Sequence, residues 1–383
     1  MILEESLALY VHLPWCVRKC PYCDFNSHQI PEALDQYTYI DALLRDLDFE
    51  MEVLPLRSRR VESIFIGGGT PSLFSAASID RLLSGIRSRL VCRDAMEVTL
   101  EANPGTLEHD KFEGYRRAGV NRLSIGVQSF HSDSLRRLGR IHGPDEARQA
   151  IALAREAGFD NLNIDLMCGL PAQNMQMALD DVAMALAAEP EHISYYQLTL
   201  EPNTSFHHRP PDFLPDHDQE SRLLRAGRER LADAGYVQYE VSAFSRPGRQ
   251  CRHNVNYWRF GDYVGVGAGA HGKLVTEDGG VVRRWRVRHP GHYLECAGTT
   301  AALGGERRLG PKDLMVEFMM NALRLREGFT PGLFSRRTGQ NEECLWAGLE
   351  VPIARGLVQI ERGRVRATER GWDFLDDLLT EFL

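Results

Sequence analysis

The chain has 383 residues, 43% hydrophobic and 26% charged, the composition of a globular protein too long for one small core. Its formal charge of −8 argues against a broad electrostatic nucleic-acid surface, and no apolar run approaches the ~18 residues of a membrane span. No leader with an apolar centre is expected before Tyr10, so the reading is a cytoplasmic protein, with peripheral membrane association left open.

Leu7, Leu9, Val11 and Leu13 alternate with Ala8, Tyr10 and His12, the period of a strand. That strand runs into Cys16-Val-Arg-Lys-Cys20-Pro-Tyr-Cys23, which holds three of the eight cysteines. Ordinary iron–sulfur binding uses four thiolates. Three can hold three irons of a [4Fe–4S] cluster and leave the fourth open to a substrate or cofactor. Zinc is the alternative from the residues alone, but it wants four closed ligands, and neither His12 nor His28 sits at zinc-finger spacing. A disulfide fits less well in a chain this long without a secretory pattern. Cys92, Cys168, Cys251, Cys296 and Cys344 are scattered, as in a reducing compartment.

Helical spacing from Pro31 to Leu54 follows, and the alternation then repeats. The strand Val61–Ile66 leads to Gly67-Gly68-Gly69-Thr70-Pro71 and a helix over Ala77–Leu90; Glu97–Glu101 leads to Asn103-Pro104-Gly105 and a helix over Leu107–Ala118. Arg122–Gln128 precedes helical segments up to Ala157, Asn161–Met167 precedes a helix over Met175–Ala188, and His192–Leu200 is the sixth strand. Such alternation implies right-handed βαβ units on a parallel sheet. Six units of about 30 residues fill this length, whereas a closed eight-unit barrel needs about 250, so the expectation is an open, partial (β/α)6 barrel. Chemistry in such folds collects at the C-terminal ends of the strands. The cysteine loop, the glycine run, Glu101, Gln128 and Asp165 fall at or near those ends, with Arg140 just beyond. The glycines admit close backbone approach to a ligand, or simply a tight turn. Asp165, inside Ile164-Asp165-Leu166, is the most informative of the polar residues, because a buried carboxylate needs partners.

Residues 201–215 read as a loop, Asp218–Gly235 as a helix and Tyr236–Phe244 as one strand. The glycine-rich stretch Gly261–Gly272 shows no apolar pattern and suggests backbone packed close to something, and Val281–Val287 reads as a strand. A helix over Lys312–Arg326 and a strand pair, Leu357–Glu361 with Arg364–Ala367, give a winged-helix-like C-terminal α+β segment. From Pro331 onward 7 Arg and no Lys stand against 9 Asp and Glu, a net −2, so DNA binding is not expected. The expected division is a barrel over 1–205, a β-rich extension over 206–310 and a C-terminal domain over 311–383.

The pattern C-x3-C-x-aromatic-C, with Tyr22 in the aromatic slot, resembles the signature of the radical S-adenosylmethionine (SAM) superfamily. The resemblance implies a [4Fe–4S] cluster on Cys16, Cys20 and Cys23, SAM chelating the open iron, and an electron donor wherever SAM is cleaved. Glu101, Gln128, Arg140 and Asp165 then supply what SAM demands: carboxylates, an amide and a guanidinium. The series Tyr10-Val-His-Leu-Pro14, the cysteine loop, Gly-Gly-Gly-Thr-Pro, Glu101-Ala-Asn-Pro104, Gly126-Val-Gln-Ser-Phe130, Arg140 and Asn163-Ile-Asp-Leu166 through Gly169-Leu-Pro171 recurs in order. It resembles the oxygen-independent coproporphyrinogen III oxidase family over nearly the whole chain. Matched position by position, the resemblance implies SAM contacts at Tyr10, Tyr22, Gly68, Gly69, Thr70, Glu101, Gln128, Arg140 and Asp165.

Two features depart from the oxidases. They carry a further cysteine two positions after the third, where this chain has Phe25, and a long arm before the position of Tyr10, which nine residues precede here. Both departures, with His253-Asn254-Val255-Asn256-Tyr257-Trp258, are similar to the haem chaperones of the same family. That likeness implies binding of haem and its transfer to acceptor proteins, with His253 on the iron and Tyr257 and Trp258 stacked on the macrocycle. The same residues read alone fit a packed aromatic loop around a hydrogen-bonded histidine. Enzymatic activity is left open. The alternatives are a true SAM-dependent coproporphyrinogen III oxidase and a zinc-stabilised interaction module.

Overall fold

A computed structural model describes residues 6–56, 58–106 and 109–383 of the chain. The first two residues of the helix expected over Leu107–Ala118 lie outside the described residues, and that helix is seen from His109. Six strands run parallel in sequence order: β1 (Ser6–Leu13), β2 (Arg60–Gly68), β3 (Val91–Ala102), β4 (Arg122–Gln128), β5 (Leu162–Cys168) and β6 (His192–Gln197). The helices between them include α1 (Gln36–Val53), α2 (Ala76–Arg87), α3 (His109–Ala118), α4 (Ser132–Arg137), α5 (Pro144–Glu156) and α6 (Met175–Ala187). Local sequence sets their starts: the side chains of Asp35, Ser75 and Asn174 accept backbone N–H groups at the first turns of α1, α2 and α6. Leu7, Leu9, Val11 and Leu13 join Ile40, Leu43 and Leu47 of α1 in the main core, so Tyr10 and His12 fall on the opposite, concave face of the sheet.

The expected partial barrel is present, and the segment after residue 205 enlarges it. Helix α7 (His217–Asp233) leads to β7 (Val237–Glu240) and β8 (Ala243–Ser245), which fold back on each other. The single strand expected over Tyr236–Phe244 is thus two, because the Glu240 carboxylate accepts the Ser242 N–H at 3.0 Å and holds a turn there. Strand β8 then pairs antiparallel with β6. The glycine-rich stretch also differs from its reading. It forms β9 (Tyr263–Val266), parallel to β1 as a seventh parallel strand, and the start of β10 (His271–Val275). Its glycines hide the apolar pattern for a steric reason: a Cβ on Gly265 would lie 2.0 Å from the His271 carbonyl oxygen, and one on Gly267 would lie 2.4 Å from that of His12. Backbone does pack close here.

Strands β11 (Val281–Arg286) and β12 (Leu303–Arg308) continue antiparallel and complete one sheet of order β12-β11-β10-β9-β1-β2-β3-β4-β5-β6-β8-β7. Residues 206–310 therefore extend the barrel sheet at both edges. The motif His253–Trp258 lies on a short helix, α8 (Arg252–Trp258), where a loop was read. Beyond it, α9 (Pro311–Ala322), α10 (Pro331–Thr338), α11 (Glu342–Ala354) and the hairpin β13 (Val358–Glu361) and β14 (Arg364–Ala367) surround a second core, which also takes in Phe260, Val275 and Val281.

Candidate functional site

At the C-terminal ends of the strands one cavity is lined by Cys16, Cys20 and Cys23 on one side and by Gly68, Gly69, Thr70, Glu101, Gln128, Arg140 and Asp165 on the other. Tyr22 lines it as well, its ring 6.3 Å from that of Phe206. The glycine run is tied to the cysteine loop by backbone bonds: Gly69 N–H donates to Leu13 O at 2.8 Å and Thr70 N–H to Trp15 O at 2.7 Å. A Cβ on Gly69 would sit 2.5 Å from the Trp15 oxygen, and one on Gly68, at φ +118°, would sit 2.7 Å from the His12 ring. Tight turn and close approach are therefore one device here, which holds the first cysteine beside the cavity.

The sulfurs meet donors that suit thiolates. Thr70 Oγ1 donates to Cys16 Sγ at 3.4 Å, and Arg140 Nη1 points at Cys20 Sγ at 3.7 Å while Nη2 donates to Gly126 O at 2.7 Å. Burial raises the thiols of Cys16 and Cys23, so a bound metal would have to draw off their protons. The far wall carries two carboxylates beside the Arg140 guanidinium. Glu101 is pushed up to about 7 by burial and by Asp165, with the Gly68 N–H at 3.1 Å as its counterweight, and burial also raises Asp165. Two half-buried carboxylates facing a cavity suit a cationic guest. Gln128 sits at φ +69°, in the left-handed region that a non-glycine rarely adopts, and its Oε1 accepts from Tyr196 Oη at 2.9 Å.

Asp165 is the upper end of a buried chain of hydrogen bonds. Ser124 Oγ donates to Asp165 Oδ2 at 3.3 Å, and Asn163 Nδ2 donates to Asp165 Oδ1 at 2.8 Å and to Ser124 Oγ at 2.7 Å. His192, neutral through burial, links Asn163 Oδ1 at 2.6 Å to Tyr239 Oη at 2.8 Å, and that hydroxyl accepts the Cys251 N–H. Sequence reasoning missed Ser124, Tyr196, His192 and Tyr239; each sits on an expected strand, but only the register shows what it faces.

Tyr10 does not line the cavity. It lies one pleat deeper, its hydroxyl 2.9 Å from His12 Nδ1 and its ring over Phe65. His12 passes the contact on through Nε2 to the Asn26 carbonyl at 2.9 Å, and Asn26 Nδ2 donates to Ala268 O and Arg288 O, anchoring the end of the cysteine loop to the β9–β10 turn and to the segment after residue 286.

The three residues expected at haem lie elsewhere. Glu97 accepts the N–H groups of Arg252 and His253, clamping the start of α8 beneath the barrel. His253 is 1% exposed, with Nδ1 at 3.0 Å from Ser63 Oγ and Nε2 at 2.9 Å from Tyr257 Oη, and burial lowers it to about 3. Both ring nitrogens are engaged, so neither is available to iron in this arrangement. Tyr257 packs edge-on against Tyr263 at 4.4 Å, and Trp258 lies under the Arg324 guanidinium at 4.3 Å. The aromatic stretch is a packed plug in the barrel floor.

A three-thiol loop at the mouth of a parallel partial barrel, opposite two half-buried carboxylates, defines a radical SAM protein. Residues 10–185 match the profile of the radical SAM superfamily and residues 309–374 that of the HemN C-terminal domain. The chain is 47% identical to the heme chaperone HemW of Escherichia coli (strain K12) over the full length of both, and 45% identical to that of Haemophilus influenzae over 98% of each. It is also 36% identical to the mouse radical S-adenosyl methionine domain-containing protein 1, mitochondrial, over 98% of this chain and 87% of that one. It belongs to the HemW family. In fold it is similar to the E. coli coproporphyrinogen III oxidase HemN, with a TM-score of 0.83 at 22% identity over 99% of this chain and 90% of that one.

Proposed function

We propose that this protein is a haem carrier of the radical SAM class, which binds haem and delivers it to acceptor proteins. The observation that carries the reading is the full-length identity to relatives named as heme chaperones. The cavity supports the cofactor half of it. Cys16, Cys20 and Cys23 would hold a [4Fe–4S] cluster, with Thr70 and Arg140 placed to donate to its sulfurs. Glu101 and Asp165 would face the cationic groups of SAM, with Gln128 and Arg140 beside its carboxylate. Bound there, the pair supplies reductive cleavage of the sulfonium, with an electron donor reaching the exposed side of the loop at Arg18, Lys19 and Phe25. Gly68 and Gly69 let the turn pack against His12 and the Trp15 backbone and so hold the cysteine loop beside the cavity, and the Tyr196–Gln128 bond fixes the amide.

Phe25, 59% exposed, stands where the oxidases have their further cysteine, and it argues for a carrier over a decarboxylase. As to location, no described helix is long and apolar enough to cross a membrane; we assign the protein to the cytoplasm. The test incubates haem-loaded, anaerobically reconstituted protein with an apo-haem protein and follows the acceptor's Soret band. Transfer faster than from free haem supports the carrier. No transfer, together with protoporphyrinogen IX formed from coproporphyrinogen III under reducing conditions, would replace it with the oxidase.

A further inference from the structure

With His253 engaged in the floor, the carrier reading needs another place for haem. Between the outer strands of the sheet and α9 runs a groove of about 1040 Å³, several times the 160 Å³ of the cluster cavity. Its sheet wall continues the concave face of the barrel, because Tyr263 pairs with Ala8 and Gly265 with Tyr10. His271, Trp285 and Gly305 stand directly opposite one another on β10, β11 and β12. The absence of a side chain at Gly305, where a Cβ would lie 2.1 Å from the indole, lets Trp285 lie across the sheet as a flat platform. The His271 ring stacks along it at 6.3 Å with 23° between the planes.

His271 differs from His253 in the two respects that decide access to a metal, exposure and free ring nitrogens. It is exposed, makes no hydrogen bond among the described residues, and is kept neutral by desolvation and by Arg283 and Arg288. Facing it, Lys312, Val316 and Met320 follow at four-residue spacing along α9, with Met320 50% exposed. Lys312 forms no ion pair among the described residues, whereas Arg307 in the same wall is held by Glu317 at 3.2 Å and by Asp313 at 3.8 Å. A flat macrocycle asks for these features: a ring to stack on, a nitrogen or thioether for iron, apolar walls and an unpaired cation at the rim for a carboxylate.

We propose that haem docks in this groove, with the exposed His271 imidazole turned off Trp285 and onto the iron, Trp285 and Met320 against the macrocycle, and Lys312 at a propionate. The assignment rests on the carrier reading and gives it a site. The test is a haem titration of the full-length protein by difference spectroscopy, with equal protein in the reference cell to cancel the cluster absorption. His271→Ala and Lys312→Glu are compared with wild type; both positions are exposed, and melting curves check the fold. His271→Ala should weaken binding by about tenfold or more and shift the Soret maximum, with added imidazole restoring the wild-type spectrum. Lys312→Glu should weaken binding at low salt and leave the spectrum unchanged. An unchanged affinity and spectrum in His271→Ala would overturn the groove while leaving the carrier intact. Absence of saturable binding by wild type would overturn the carrier reading itself, and the groove with it.

Discussion

Replacing His253 by alanine separates a core histidine from a haem ligand. The substitution removes two buried hydrogen bonds, to Ser63 and Tyr257, worth about 1 kcal/mol each. It also leaves a void beside Phe65 and Tyr10, whose rings lie 5.2 Å and 6.5 Å from that of His253. With roughly 1–2 kcal/mol for the cavity, the loss comes to about 3–4 kcal/mol. Unfolding entropy of about 2.1 cal/mol/K per residue over a chain of 383 gives about 0.8 kcal/mol/K, so Tm should fall by about 4–5 °C if the chain melts as one unit. The assay is calorimetry of the wild type and variant, followed by a haem titration of both well below the transition. The expected result is a lowered Tm with haem affinity and Soret position unchanged. An unchanged Tm with the haem spectrum lost would refute the reasoning and return the iron to His253.

Further outcomes follow from the cavity. Each of Cys16→Ser, Cys20→Ser and Cys23→Ser should abolish the broad absorption near ~400 nm and the iron bound per chain after reconstitution, and retained iron and sulfide would sink the cluster assignment. Gly69→Ala drives a Cβ to within 2.5 Å of the Trp15 oxygen and, by pushing at the strand that carries Cys16, should cost about 1–3 kcal/mol and lower cluster occupancy; full occupancy at wild-type Tm would contradict it. Glu101 is raised from 4.5 to about 7, so the folded chain holds a proton that the unfolded chain releases, and stability through this group falls as pH rises from 4.5 to 7. A cationic guest favours the ionised form, so SAM binding near neutral pH should release a proton. Calorimetric heats that are the same in phosphate and Tris for wild type, or that differ equally in Glu101→Gln, would reject this.

Much of the site was legible because its signals are local. The alternation in Leu7–Leu13 fixes both the core face and the strand end that delivers Cys16, and the glycines after β2 mark a place where backbone must come close. What stayed hidden depends on register between distant strands. Gly265 and Gly267 erase the hydrophobic pattern of β9 because neighbouring backbone occupies the space of their side chains, so the seventh parallel strand could not be read. The spacing of His253 and Tyr257 is that of adjacent helical turns, a cue to the hydrogen bond between them that composition alone does not weigh. Glu97 and Ser63, which hold that helix, lie over 150 residues away in sequence. Nothing local connects them.

The chain of hydrogen bonds beneath Asp165 has a directional consequence. Each link commits one donor to one acceptor: Asn163 gives to Asp165, neutral His192 gives to Asn163, Tyr239 gives to His192 and the Cys251 amide gives to Tyr239. Every proton points upward, from the start of the floor helix toward the carboxylate at the mouth. The chain has one polarity, and reversing any member would leave the next buried group without its partner. Mouth and floor therefore keep a common orientation. The carboxylate beside the cofactor cavity and the helix that bears the family's aromatic motif behave as two ends of a single polarised rod.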